Sequence, residues 1–172
     1  MYYWVTIPRW LRAFYPGCTW EMDRHEKKIY LTFDDGPHPE ITNFVLDQLR
    51  AFDARASFFC IGKNVAAWPE VFDRIRAEGH AVGNHTYHHL NGRKTADDLY
   101  LDDIRKSGRL IESPLFRPPY GRISRSQLRA IREKGLKPVM WSVLSADFDE
   151  NIRAEDCIRH VMKHAEIGRA HV

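Results

Sequence analysis

From Ile29 onward, short apolar runs alternate with amphipathic segments, and this alternation is what most narrows the folds open to the chain. Lys28 to Phe33, Ala56 to Ile61 and Lys137 to Val143 are expected strands, with a short one around His80 to Gly83 and a brief one at Leu115 to Arg117 between them. A stretch of helical period follows each one. Near Pro39 a helix begins whose apolar positions Ile41, Phe44, Val45, Leu49 and Phe52 recur on one face. Pro69 suits a first helical position, Val71, Phe72 and Ile75 supply a buried stripe, and Gly79 is placed as a C-terminal cap. A helix from Thr95 to about Glu112 comes next. Ser124 and Gln127 then form a capping box, Ile123 and Leu128 stand at the spacing of a hydrophobic staple, and that helix ends at Gly135. A last helix is predicted from Ala154 to Lys163. Strands joined by helices imply a mainly parallel sheet, and an eight-unit barrel takes about 250 residues. Five units in 172 residues imply an incomplete or smaller barrel.

At this length one hydrophobic core suffices, so a bound metal would have to be explained by chemistry rather than by folding. Three cysteines, Cys18, Cys60 and Cys157, have no C-x-x-C spacing and suggest neither a disulfide framework nor a cysteine zinc site. Cys60 is expected to be a buried small hydrophobe. The net charge of +3 is spread along the chain and gives no footprint for nucleic acid. Residues 1–28, rich in Trp and Tyr, lack a clear period and are expected to form an N-terminal extension to a domain covering 29–172. Pro8, Arg9, Arg12 and Pro16 interrupt the apolar start, which fits neither a membrane span nor a signal peptide. Cytoplasm is the default expectation on that basis, with the cell envelope the alternative if the true N-terminus is missing. A monomer is expected.

The chemistry-bearing residues gather at strand ends. Asp34 and Asp35 follow the first strand, His85 and His89 the third, Arg117 ends the fourth and Asp147 lies past the fifth. In parallel β/α folds the C-terminal strand ends converge on one face, so these distant segments are expected to meet. Adjacent carboxylates on a strand point to different sides, which permits one metal ligand and one base. Asp-Asp-Gly is equally at home in a plain turn. Nine histidines in this chain give about 0.5 H-x-x-x-H pairs by chance, so spacing alone is weak. His160 and His164 have the same spacing and are expected on a solvated helix face. His85 and His89, with one carboxylate, make a three-ligand set with open positions, as catalytic zinc and related divalent ions require. His88 is expected to face away, His80 to be a hydrogen-bonded core histidine, and His25 and His38 to lie at the surface.

Three ordered segments, Thr32-Phe33-Asp34-Asp35-Gly36-Pro37, Asn84-His85-Thr86-Tyr87-His88-His89 and Arg117-Pro118-Pro119-Tyr120-Gly121, resemble the first motifs of the polysaccharide deacetylase family, the NodB-homology domain of carbohydrate esterase family 4. The resemblance runs from Lys28 to about Lys163. It implies a distorted (β/α)7 barrel, here lacking its last strand or strands, and a metal-dependent hydrolase that removes N-linked acetyl groups from an N-acetylglucosamine-containing glycan of the peptidoglycan or chitin type. Carried over by residue, Asp34 is the general base, and Asp35, His85 and His89 hold one divalent metal, zinc first, with cobalt, nickel or manganese as alternatives. The Tyr120 backbone N–H would help hold the oxyanion. Arg117 would orient Asp34, and Asp147 would pair with the arginine.

The sequence departs from the family in two places. In the fourth motif Phe148 and Leu144 replace the usual Trp and Asp. In the fifth, Glu166 to Val172 starts correctly, but Arg169 and Ala170 do not continue as an apolar strand and His171 comes too early for the family's general acid. A fragment or a foreign tail is expected there. A missing general acid costs roughly 10² to 10⁴-fold, so a weak catalyst is expected. Another C–N hydrolase acting on a small amide, an O-deacetylase and a metal-retaining carbohydrate-binding protein remain alternatives. A two-histidine-one-carboxylate iron oxygenase is disfavoured by the absence of an H-x-D pair.

Overall fold

The computed structural model describes residues 4–171, with side chains described as far as Arg169. In chain order the elements are α1 (Arg9–Arg12), β1 (Tyr30–Asp34), α2 (Ile41–Ala51), β2 (Ser57–Cys60), α3 (Gly62–Ala67), α4 (Pro69–Ala77), β3 (Ala81–Asn84) and α5 (Asp97–Gly108). Then follow β4 (Leu115–Phe116), α6 (Arg125–Glu133), β5 (Lys137–Pro138), α7 (Ala154–His164) and β6 (Ala170–His171). The chain divides into two units, residues 33–139 and residues 1–32 with 140–172.

In the unit of residues 33–139 the strands run in the order β5-β4-β3-β2, followed by the end of β1. The pairings of β2 with β3, β3 with β4 and β4 with β5 are all parallel, as alternating strands and helices require. Phe59 stands opposite Gly83. A Cβ at Gly83 would lie 2.5 Å from the Phe59 ring, so the bare glycine backbone lets that ring lie across β3. Phe58, Phe59, Ile75, Tyr100, Ile104, Phe116 and Ile131 are buried and form the core of this unit. Burying each such side chain contributes about 1.5–3 kcal/mol.

Most helix signals are in place. Pro69 is the first residue of α4, whose buried side chains are Val71, Phe72 and Ile75, and Gly79 follows at φ +78°. Ser124 and Gln127 form both halves of the capping box on α6, with Ile123 and Leu128 buried beside it. Gly135 takes φ +82° past the end of α6.

The structure corrects α2. Its buried residues are Thr42, Leu46 and Leu49, whereas Ile41, Phe44 and Phe52 are exposed. The Thr42 hydroxyl accepts from the His38 backbone N–H at 2.9 Å, which turns the Thr42 face inward at the first turn and fixes the phase of the rest. The α3 helix had no sequence signal, being short and weakly apolar between β2 and Pro69.

In the other unit the segment expected to complete the fifth strand pairs with the N-terminal residues instead. The Ser142 carbonyl accepts from Ile7 N–H at 3.2 Å, the Val5 carbonyl from Leu144 N–H at 2.8 Å, and the Trp20 carbonyl from the Ser142 hydroxyl at 2.7 Å. The first two bonds satisfy the backbone carbonyl of Ser142 and the backbone N–H of Leu144. The last segment is also corrected. Ala170 and His171 do continue as a strand, parallel to Tyr30 and Leu31 of β1, and Gly168 at φ +80° makes the turn into it. The side chain of His171 lies outside the described residues. Among the described residues no helix is long and apolar enough to cross a membrane.

The capping box gives a direct check. Ser124→Ala removes the acceptor for the Gln127 N–H, 3.1 Å away, and should cost about 1 kcal/mol. For a chain of this size that lowers Tm by about 2–4 °C, and an unchanged melting curve would show that the cap contributes nothing.

Candidate functional site

Every residue of the site in the unit of residues 33–139 follows the C-terminal end of a strand. Asp34 ends β1 and Asp35 comes next, His85 and His89 follow β3, and Arg117 and Tyr120 follow β4. Asp35, Thr86, His89 and Tyr120 all take left-handed backbone conformations, with φ of 68°, 63°, 59° and 59°. For non-glycine residues each costs about 1–3 kcal/mol and persists only where the surroundings impose it. Here they do. The Asn64 amide donates to the Asp35 carbonyl at 2.7 Å, Asn84 Oδ1 accepts from Thr86 N–H at 2.8 Å, and Gly62 N–H donates to the Thr86 carbonyl at 2.9 Å.

Asp35 Oδ1 lies 3.0 Å from His89 Nε2 and 3.4 Å from His85 Nε2. These three ligand atoms lie within 4.8 Å of one another. The His85 ring is buried, and its Nδ1 lies 2.7 Å from the Arg117 carbonyl. A carbonyl can only accept, so Nδ1 carries the hydrogen and Nε2 presents its lone pair when the ring is neutral. This is the usual support for a ligating histidine. Partial desolvation opposes ionisation of Asp35, but the hydrogen bonds and charges that His85 and His89 supply when protonated outweigh it and hold the carboxyl well below the usual range. Two imidazole nitrogens and one carboxylate oxygen suit a divalent ion with coordination positions left for water or substrate.

Beside this set, Arg117 Nη1 donates to Asp34 Oδ1 at 2.6 Å. The Arg117 side chain is wholly buried, lies 4.0 Å over the Phe59 ring centroid and gives its Nε–H to the Val139 carbonyl at 3.2 Å. Burial pulls the guanidinium's proton affinity down while Asp34 pulls it up, and an arginine stays charged in either case. The Tyr120 ring packs 4.6 Å from the His89 ring. Burial, with the Asp34 charge adding to it, pushes the Cys60 thiol up to about 12, so it remains a protonated hydrophobe.

The structure therefore brings Asp34, Asp35, His85, His89, Arg117 and Tyr120 together. Asp147 belongs to the other unit, where it is exposed and accepts from the Ser145 hydroxyl at 2.9 Å. His80 is buried and accepts from the Ala56 backbone N–H at 3.3 Å, as a core histidine should. Burial lowers its pKa first, aided by the Arg55 charge. His160, expected to be solvated, is half-buried with Nδ1 3.0 Å from the Ser145 carbonyl. His38 is at the surface but accepts through Nδ1 from the N–H groups of Glu40 and Ile41 at the start of α2.

Sequence reasoning missed three supports, namely Asn64, Asn84 and Asp103. For Asp103 a signal existed. It shares the inner face of α5 with Tyr100, Ile104 and Ser107, and a carboxylate on an inner face needs a partner.

Comparison with known proteins gives a consistent picture. The family model described as polysaccharide deacetylase matches residues 21–139. A peptidoglycan-N-acetylglucosamine deacetylase of Bacillus cereus is 38% identical over 156 residues, covering 87% of this chain and 73% of that protein. A chitooligosaccharide deacetylase of Azorhizobium caulinodans is 36% identical over 152 residues, covering 84% of this chain and 72% of that protein. A solved peptidoglycan N-acetylglucosamine deacetylase superposes with a TM-score of 0.85 at 32% identity, covering 96% of this chain and 79% of that one.

The donor set leads to a measurable expectation. Metal analysis of the purified chain should find one divalent ion, and His85→Ala should abolish tight binding, because two remaining ligands hold a labile ion poorly against water. Unchanged stoichiometry and affinity in His85→Ala would exclude this set.

Proposed function

We propose a function from one premise: the chain belongs to the polysaccharide deacetylase family. It is thereby a hydrolase acting on carbon–nitrogen bonds, with the parallel α/β fold of that family. Within it we assign removal of N-linked acetyl groups from an N-acetylglucosamine-containing glycan, by attack of water with Asp34 as general base. Asp35, His85 and His89 would hold one divalent metal, zinc first, with cobalt, nickel or manganese as alternatives. When bound, such an ion lowers the pKa of a coordinated water and polarises the acetyl carbonyl.

The observation that carries this reading is the different partnering of two adjacent carboxylates. Asp34 is fixed at 2.6 Å by Arg117, while Asp35 faces both imidazole Nε2 atoms. A base must be ionised and aimed before it can take a proton. The buried guanidinium supports both, since it cannot give up its own proton and commits Asp34 Oδ1, leaving Oδ2 as the proton acceptor we assign. For Tyr120 we assign the backbone N–H to the oxyanion that forms as water adds, a donor useful only if fixed in advance. Its left-handed backbone, at φ 59°, supports that assignment. The names of the relatives, which include peptidoglycan and chitooligosaccharide deacetylases, support the glycan as substrate class.

Acetate release from N-acetylglucosamine oligomers, with metal added and with chelator, tests the activity directly. Asp34→Asn should keep the metal and lose at least about 100-fold in rate, whereas Asp35→Asn should lose both. Equal metal loss in the two variants would contradict the division of roles.

A second outcome concerns the arginine. Arg117→Lys cannot reproduce a planar guanidinium that bonds Asp34 and the Val139 carbonyl while lying on a ring, so the rate should fall. A wild-type rate would remove Arg117 from the mechanism.

A further inference from the structure

We infer that Asp103 is a positioning residue for the histidine pair: a buried carboxylate on α5 that holds the turn between His85 and His89 in the shape aiming both Nε2 atoms at Asp35. This inference rests on the metal-site reading above.

Asp103 is 6% exposed, and a carboxylate so buried is tolerated only when hydrogen bonds replace its water. Its Oδ2 accepts from the backbone N–H groups of Tyr87 at 2.8 Å and His88 at 2.9 Å, while Oδ1 meets His88 Nδ1 at 2.5 Å. All three bonds reach residues between the two candidate ligands. Two successive N–H groups converging on one anion form a backbone nest, and an anion seated there fixes the local dihedral angles. Those angles matter here because Thr86 and His89, on either side of the pair, are both left-handed. Without the carboxylate, Tyr87 and His88 would lose the acceptor that holds their amides inward, and the strain at Thr86 and His89 would be free to relax.

The rest of α5 grips the same turn. Lys106, three residues beyond Asp103, places Nζ 3.7 Å over the Tyr87 ring, and that ring packs edge-on to His88 at 4.7 Å. His88 thus faces away from Asp35 and toward α5, where it completes the clamp. A helix face holds the turn, the turn holds two imidazoles, and one of these is held again by the Arg117 carbonyl. Supports of this kind behind metal ligands typically change metal affinity 10- to 100-fold.

The test uses the full chain as wild type, His85→Ala, Asp103→Asn and His88→Ala. Zinc affinity is measured by competition with a chromophoric chelator, and the visible spectrum is recorded for the cobalt-loaded protein. Asp103→Asn should weaken zinc binding about 10- to 100-fold and shift the cobalt spectrum. In the metal-free protein it should also speed amide exchange at Tyr87 and His88. His88→Ala, which keeps both backbone bonds, should weaken zinc measurably but by less than the about 10-fold typical of losing a whole supporting group. A role confined to packing α5 would lower Tm and leave affinity and spectrum unchanged, and that result overturns the inference. If Asp103→Asn does not fold, His88→Ala decides, and wild-type affinity there overturns it. If wild type itself binds no zinc or cobalt, the metal-site reading fails and this inference fails with it. If wild type binds and His85→Ala does not, while Asp103→Asn equals wild type, only the inference fails.

Discussion

A cation with no exposed surface has to be paired, and the Arg117 side chain is wholly buried in this protein. That requirement organises the site. The guanidinium is neutralised by Asp34 from the end of β1, lies on Phe59 of β2 and donates to the Val139 carbonyl after β5. Its own backbone carbonyl receives the His85 Nδ1–H, and its backbone N–H donates to the Asn84 carbonyl at the end of β3. One residue after β4 thus ties together the strand ends that carry the carboxylates and the imidazoles. Removing its charge would leave Asp34 without its partner, and displacing its backbone would turn His85. Either change reaches both halves of the site.

The strain in the site follows from the same geometry. Strand ends deliver residues in extended conformation, with side chains alternating between faces. Facing two imidazoles and a carboxylate inward from two loops requires departures from that alternation, and these are the left-handed residues Asp35, Thr86 and His89. Bonds from a neighbouring element hold the first two of them, from Asn64 to the Asp35 carbonyl and from Gly62 to the Thr86 carbonyl. Both donors belong to the short α3 helix, which contributes little apolar surface. Its first residues stitch the loops after β1 and β3 to each other.

Much of this was legible in the sequence, because the legible part depends on local chemistry. The capping box at Ser124, the cap at Gly79 and the first-turn Pro69 involve residues within a few positions of one another, so local rules sufficed. Convergence of Asp34, Asp35, His85, His89 and Arg117 followed from a topological rule about parallel strands. The failures have the opposite character. The buried face of α2 is set by Thr42, whose hydroxyl serves a backbone amide, so apolar spacing alone picked Ile41, Phe44 and Phe52 wrongly. Met140, Ser142 and Leu144 pair with a segment more than a hundred positions away, which no local window detects. Asp103 acts across a loop on partners 15 and 16 residues distant.

Adjacent like charges are a problem that placement has to solve. Two carboxylates on consecutive residues repel each other, and in a poorly hydrated site one would be driven to hold a proton. A left-handed backbone at Asp35 lets the two side chains meet different partners: a permanent cation for Asp34, and for Asp35 a pair of imidazoles whose hydrogen bonds overcome its desolvation. A guanidinium cannot accept a metal ion or release a proton near neutral pH, whereas an imidazole lone pair can bind metal. In the function proposed above, the carboxylate facing the guanidinium is accordingly assigned the proton transfer, and the one facing the imidazoles the coordination. The roles of two chemically identical side chains are thus separated by their neighbours, and those neighbours are fixed by which strand end each carboxylate faces.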